Sequence, residues 1–314
     1  MGKIAYEKKV PVYHKIYEQM HEEPLICFYE IGENIGVSRS STTRYIKEMY
    51  HLSILDGPRI FLNPAKNYHQ FAYLLQCEDP LSVYAHTEDF PSILFKSVEF
   101  GNWNLFIISE KKIDFSSLEG VKQNFFQGTK GMTYFSTVTS LDWDASLEAM
   151  YDAAYSLKKK STLYHEIPRI PWNEKEWSLY HEFKNDIRKK KIAIIEKHKI
   201  PYNDYRHWLD TLPKYTAVQT RFYPYKRDSY LAVDFLFESQ YHTQLKDILG
   251  LLPSTGVFFS VGTHMLARIF YLTKKEKDEL LTFILHLGKK GYYTAVHHAL
   301  VVSYPAGNEN MINI

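Results

Sequence analysis

The sequence predicts an α+β chain built twice to one plan, a winged helix-turn-helix followed by a βαββαβ ferredoxin-like unit. Three observations predict it. The stretch Ile35-Gly36-Val37-Ser38-Arg39-Ser40-Ser41-Thr42-Thr43-Arg44-Tyr45-Ile46-Lys47 reads as the turn and second helix of a helix-turn-helix. After Asn63-Pro64 the helical period gives way to short apolar strands broken by turn residues. The pattern then recurs: Gly101 and Gly262 fall in corresponding turns 161 residues apart, and Val37 and Ile200 at corresponding helix-turn-helix positions 163 apart.

The elements follow in order. Residues 10–22 carry Val12, Ile16 and Met20 at helical spacing, and residues 26–35 give a second helix. Gly36 can take the positive φ of a tight inter-helix turn, and Ser38 is a good N-cap. A third helix runs from Ser38 to about His51, with Thr42, Ile46 and Met49 facing inward. Arg39, Ser40, Thr43, Arg44 and Lys47 are left outside, and short hydroxyls with arginines on an exposed helix suit a DNA major groove. Two apolar pieces, Ile54-Leu55 and Ile60-Phe61-Leu62, flank Asp56-Gly57-Pro58-Arg59 and predict a hairpin wing. Arg59 at its tip, with Lys66, would hold backbone phosphates without reading sequence.

Beyond the break, Tyr68–Cys77 reads as a strand and Pro80–Asp89 as a helix. Ile93–Phe100 and Trp103–Ser109 are strands joined at Gly101-Asn102. Ser116–Phe126 reads as a helix and Met132–Ser140 as a last strand, completing βαββαβ. Residues 142–171 form a linker, helical over Leu147–Leu157 and extended at Ile167-Pro168-Arg169-Ile170-Pro171. Helices over Trp172–Ile187, Ile192–His198 and Tyr202–Leu212 then predict a second, degenerate helix-turn-helix, in which Asp204 and Asp210 would repel phosphates. Ser229–Phe237, Tyr241–Leu252, Gly256–Val261, Met265–Tyr271, Lys275–Leu287 and Tyr292–Tyr304 repeat the βαββαβ order. The expected units are 1–66, 67–141, 142–171, 172–224 and 225–314.

Gly36-Val37-Ser38-Arg39-Ser40, Ile54-Leu55-Asp56-Gly57 and Gly101-Asn102-Trp103-Asn104-Leu105 resemble the turn, the wing exit and the inter-strand turn of the leucine-responsive regulator (Lrp/AsnC) family, over about residues 10–141. The resemblance implies a transcription regulator that binds double-stranded DNA, assembles as a homodimer or higher homo-oligomer, and binds a small-molecule effector between ferredoxin-like units. Gly101, Asn102, Gly262 and Thr263 are the effector-binding residues it suggests. Siroheme decarboxylases also resemble that family and occur as paired or fused modules. Asn104-Leu105-Phe106 is similar to part of their segment at this turn, although no His or Arg precedes it, and His264 stands at the second turn without the Asn-Leu. A tetrapyrrole enzyme is therefore the alternative reading, and a ligand-binding or assembly protein without DNA binding a third.

Composition sets limits. The chain has 314 residues, 45% hydrophobic, and a net charge of +2, which excludes a global polycation. Residues 1–66 carry 9 Lys/Arg against 8 Asp/Glu, whereas residues 156–200 carry 12 against 6. The unit with the better motif has the poorer charge. Two distant cysteines, Cys27 and Cys77, fit a reducing compartment. No apolar run approaches the ~20 residues of a membrane span, and Met1–Lys9 holds no apolar signal-peptide core. The expectation is a cytoplasmic protein. Fourteen histidines invite a metal reading, yet His297 and His298 would point to opposite faces of a strand. His264 would open a strand about 10 Å away, two steps of roughly 4.8 Å. No zinc-protease, P-loop, dinucleotide or nucleophile-elbow motif occurs. The sequence assigns no catalytic residue, metal or cofactor.

Overall fold

Capping chemistry starts and stops the first helices. In the computed structural model, which describes residue 6, residues 8–88 and residues 90–303, α1 spans Val10–Glu22, α2 Phe28–Ile35 and α3 Arg39–His51. The expected ends at Asp89 and Tyr304, and residues 1–5 and 7 of the N-terminal run, lie outside the described residues. Cys27 and Glu30 form a capping box at the start of α2. Gly36, at φ 69°, closes it. The Ser41 amide donates to Ser38 Oγ (3.3 Å), so Ser38 caps α3. Ile46 and Met49 are buried among Tyr13, Ile16, Tyr17 and Ile31, with Thr42 beneath them.

The expected wing does not form. Leu55–Leu62 is one strand, β1, antiparallel to β7 (Thr216–Phe222), with Leu55 opposite Phe222 and Leu62 opposite Thr216. An isolated two-stranded hairpin is marginal in water, whereas β7 offers a partner along nearly the whole of β1. The Asp56–Arg59 segment becomes a bulge in that pairing rather than a turn. β7 itself follows a second helical unit, α6 (Glu174–Phe183), α7 (Lys191–Lys197) and α8 (Tyr202–Thr211), close to the expected positions. Each strand fills the core of the other half. Ile60 and Leu62 pack with Phe183 and Trp208, while Phe222 stacks on Tyr17 with ring centroids 5.0 Å apart.

The remaining strands make a closed barrel. The first half supplies β2 (Gln70–Cys77), β3 (Ile93–Gly101), β4 (Leu105–Ser109) and β5 (Val121–Lys130), in the order β3-β4-β2-β5. The second supplies β8 (Leu231–Glu238), β9 (Val257–Val261), β10 (His264–Tyr271) and β11 (Ala295–Ser303), in the order β11-β8-β10-β9. Both orders read fourth-first-third-second. Two seams join the sheets into eight strands. At one, β11 pairs with β3, Ala299 facing Gly101; at the other, β5 meets β9 at Lys130 and Val261. Alternation along each strand puts Ala72, Leu74, Phe106, Phe259 and Leu266 in the barrel interior. Outside, α4 (Pro80–His86) and the buried Phe115 cover the first sheet. The outer face of the second is covered by α5 (Trp143–Ala153), α9 (His242–Leu249) and α10 (Lys274–Lys289).

Two further expectations fail in the first half. Ser116–Phe126 is a loop running into β5, not a helix, because β2 has an open edge that residues 121–130 pair with. Tertiary pairing overrides a local helical spacing. The strand expected at Met132–Ser140 reduces to β6, Tyr134–Phe135, on β9. No helix among the described residues is long and apolar enough to cross a membrane.

Candidate functional site

The exposed face of α3 forms where its spacing predicts. Arg39, Ser40, Arg44 and Lys47 are exposed, and Thr43 is half-buried. Ser38 is exposed but engaged as the cap. The Arg44 guanidinium lies 5.3 Å from the Tyr45 ring centroid, and Glu48 is tied to Lys9 at 2.8 Å. Arg59 is a correction. It sits at no tip; it is 6% exposed and paired to Asp56 at 2.6 Å, and Asp56 also holds Arg221. The neighbouring guanidinium groups keep the Asp56 carboxyl below its usual range, although burial opposes them. Lys66 is exposed.

The turns at Gly101-Asn102 and Gly262-Thr263 belong to the seams. The Asn102 amide donates to the His298 carbonyl (3.0 Å), and the His298 amide donates to Asn102 Oδ1 (2.9 Å). The Gly262 amide donates to the Thr129 carbonyl (2.9 Å), and Thr263 Oγ1 lies 3.2 Å from His264 Nδ1. Sheet-edge groups that would otherwise be unpaired are satisfied by the other half. Neither turn borders the clefts described below. Nearby, the His264 ring packs on Phe126 at 4.2 Å, and His297 on Phe125 at 5.1 Å. Burial chiefly pushes His264 below its usual pKa, with Glu238 opposing and His297 adding to the shift. Among the described residues no three side chains are grouped to hold a metal ion.

Inside the barrel, one guanidinium serves two carboxylates. Arg268 Nε and Nη2 donate to Asp234 at 2.6 Å each, and Nη2 also reaches Glu99 Oε1 at 2.9 Å. Ser97 Oγ and Trp103 Nε1 donate to the two oxygens of Glu99. Arg268 and Asp234 are fully buried, and Glu99 is nearly so. Desolvation first, then the Asp234 charge, pushes Glu99 well above the usual carboxylate range.

Two adjoining clefts are large enough for a ligand. One, of ≈ 560 Å³, lies between α1, residues 139–144 and one end of the barrel. His14, Phe222, Tyr225, Tyr230, Phe270 and Lys275 are among its walls. The other, of ≈ 740 Å³, is lined by Tyr6, Glu48, His51, Leu52, Tyr225, Lys226, Ser229 and Leu272. Tyr225 and Leu272 line both, which makes one trough. Its acids are engaged by the protein. Glu48 pairs with Lys9, and Asp144 with Lys275 at 2.8 Å. Asp142 accepts from the Ala145 amide, and Glu276 from the Leu272 and Thr273 amides. Burial above all raises the Tyr230 pKa, so its hydroxyl keeps its proton. His14 Nε2 lies 2.8 Å from the Val138 carbonyl oxygen.

No family model matches the sequence, and no curated protein matches it. Among solved structures, the chain is similar to the crystal structure of the siroheme decarboxylase NirDL over 95% of each chain, at a TM-score of 0.51 and 9% identity. The same enzyme in co-complex with an iron-uroporphyrin III analogue matches over 93% of this chain and 91% of that one, at a TM-score of 0.42 and 8% identity. At 9% identity the first likeness shows a shared mixed α+β fold.

Sequence reasoning missed the trough and the buried network. The trough draws on Val10, Leu141, Tyr225 and Leu272, which no local pattern connects. The network did leave a signal, since Asp234 interrupts the apolar run 231–237 and Arg268 the apolar run 265–271.

Proposed function

We propose that this chain is a siroheme-decarboxylase-like enzyme that binds a planar, carboxylated tetrapyrrole in the trough. The observation that carries the reading is the trough itself. Its clefts are within the size range of small-molecule sites, its walls are aromatic, and Lys226 and His51 line it while Glu48 is held by Lys9 and Asp144 by Lys275. The fold likeness is consistent with it. Loss of a carboxyl group as carbon dioxide breaks one C–C bond and leaves a carbon that must take up a proton. Tyr225, Tyr230 and His14 are among the proton-bearing groups on the walls. The strand exchange and the two matching sheet orders support the finer reading of the fold as a tandem duplication, 1–66 with 67–141 and 172–224 with 225–314, joined by 142–171.

Anaerobic titration with siroheme tests the reading. The expected result is a saturable change in the absorption spectrum, followed by stepwise loss of carbon dioxide in the mass of the recovered tetrapyrrole. Leu272→Trp, which fills the junction of the two clefts, should weaken binding about tenfold or more, a 1.4 kcal/mol loss. No spectral change with the unmodified chain would end the proposal.

The exposed cations of α3 favour a second reading, a DNA-binding regulator of Lrp/AsnC type in which a homodimer presents two such helices. If Arg39 or Arg44 reads a base, replacing it with Ala should cost about 1–3 kcal/mol in binding to a preferred duplex. Fluorescence anisotropy at several salt concentrations measures this. Binding that falls equally with salt in wild type and variants would assign the face to solvent.

A further inference from the structure

Lys130 ends β5 at the junction of the barrel with the second helical unit, and only 3% of it is exposed. Its Nζ donates to Thr133 Oγ1 (2.7 Å), Gln70 Oε1 (3.0 Å) and the Gly131 carbonyl (3.1 Å). All three acceptors are neutral. Among the described residues no carboxylate comes within ion-pair distance of it, although other buried cations here have such a partner: Arg59 and Arg221 share Asp56, and Arg268 has Asp234. A buried charge without a counter-charge is costly, and desolvation pushes the Lys130 amine down to about 7.

Beside it lies a cavity of ≈ 30 Å³. Lys130, Arg59 and Lys184 are among its lining residues, with one acid, Glu110, which the Tyr68 hydroxyl contacts at 3.3 Å. Phe61 and Leu94 supply apolar wall. A cavity needs about 10–15 Å³ to hold one water, so this one has room for a small guest.

We propose that this cavity binds a halide-sized monovalent anion as the counter-ion of Lys130. An anion there stands among Lys130 of β5, Arg59 of β1 and Lys184, the C-cap residue of α6. Its occupancy therefore fastens the barrel to the second helical unit, a role independent of the trough. An apolar wall suits a weakly hydrated halide.

Thermal unfolding at fixed pH 7 and fixed ionic strength tests this, with sodium gluconate progressively replaced by sodium chloride or bromide. Gluconate is too large to enter. The expected result is a saturable rise of the midpoint in the wild type, absent in Lys130→Met. Chlorine NMR line broadening gives a second reading in a milder variant, Lys184→Gln, where chloride should bind about tenfold more weakly. A wild-type midpoint indifferent to halide would mean that the cavity holds water alone and would overturn the proposal. So would an equal rise in Lys130→Met, the mark of a general salt effect. Should Lys130→Met fail to fold, undiminished chloride affinity in Lys184→Gln would be equally fatal.

Discussion

Arg268→Met is expected to destabilise the chain by about 3–5 kcal/mol, the cost of breaking a buried ion pair by removing one partner. The arginine satisfies Asp234 with two hydrogen bonds and Glu99 with a third, in an interior that water does not reach. Methionine keeps much of the volume and the packing against Phe95 and Phe106, whose rings the guanidinium overlies at 5.2 and 5.7 Å. What it removes is the charge that compensates two carboxylates. Urea denaturation monitored by tryptophan fluorescence measures the loss. The deficit should depend on pH with a definite sign. Glu99 already has a folded pKa raised above its unfolded value. The stability such a group contributes is fully present below the unfolded pKa and is lost as pH rises through the folded one. Without Arg268, which opposes the shift, the Glu99 carboxyl is pushed up further, so the deficit should be smaller at pH 5 than at pH 8. Adding Glu99→Gln and Asp234→Asn should recover most of the loss, since neutral amides need no counter-charge. A single-variant loss below about 1 kcal/mol, or a deficit that grows toward acid, would show that the network does not hold the barrel.

The elements legible in the sequence are those whose cause is local. Ser38, Gly36 and the Cys27–Glu30 box sit within a turn of the helix they cap, so α2 and α3 can be read from a dozen residues. The second half is equally plain, because β8 to β10 are nearly continuous apolar runs bounded by turn residues and α10 carries its own capping box at Thr273 and Glu276. What local pattern could not show is which edge a strand meets. Asp56-Gly57 has the composition of a hairpin turn, but the partner of Leu55–Leu62 lies at 216–222. Ser116–Phe126 has helical spacing, but the open edge of β2 claims residues 121–130. The candidate sites divide the same way. The outer face of α3 follows from one helix period. The trough and the Lys130 cavity exist only because segments more than a hundred residues apart converge, and Arg59 looked available only while its strand was mistaken for a turn.

Barrel closure depends on two glycines, and Gly101→Ala should break one seam at a cost of about 1–3 kcal/mol, the usual range for overpacking. A Cβ at Gly101 would stand 2.3 Å from the His298 carbonyl oxygen and 2.6 Å from Ala299 Cα. These are backbone atoms of β11, so no side chain can rotate away and the strand itself must move. The other seam has the same construction, since a Cβ on Gly128 would lie 2.7 Å from the Gly262 nitrogen. Opening the first seam would release the paired hydrogen bonds between Asn102 and His298. Amide exchange should therefore speed up at both residues while α1 remains protected. Asn102→Ala, which keeps the close approach and loses only the side-chain acceptor, should cost about 0.5–1.5 kcal/mol. A closed barrel has no sheet edge, and parting β3 from β11 exposes two. Gly101→Ala should consequently self-associate on partial unfolding where the wild type does not, visible as light scattering during the urea transition. Independent seams would make the losses in Gly101→Ala/Gly128→Ala additive. A loss beyond the sum would mean that each seam holds only while the other is shut, and unchanged His298 protection in Gly101→Ala would show that β11 yields without unpairing.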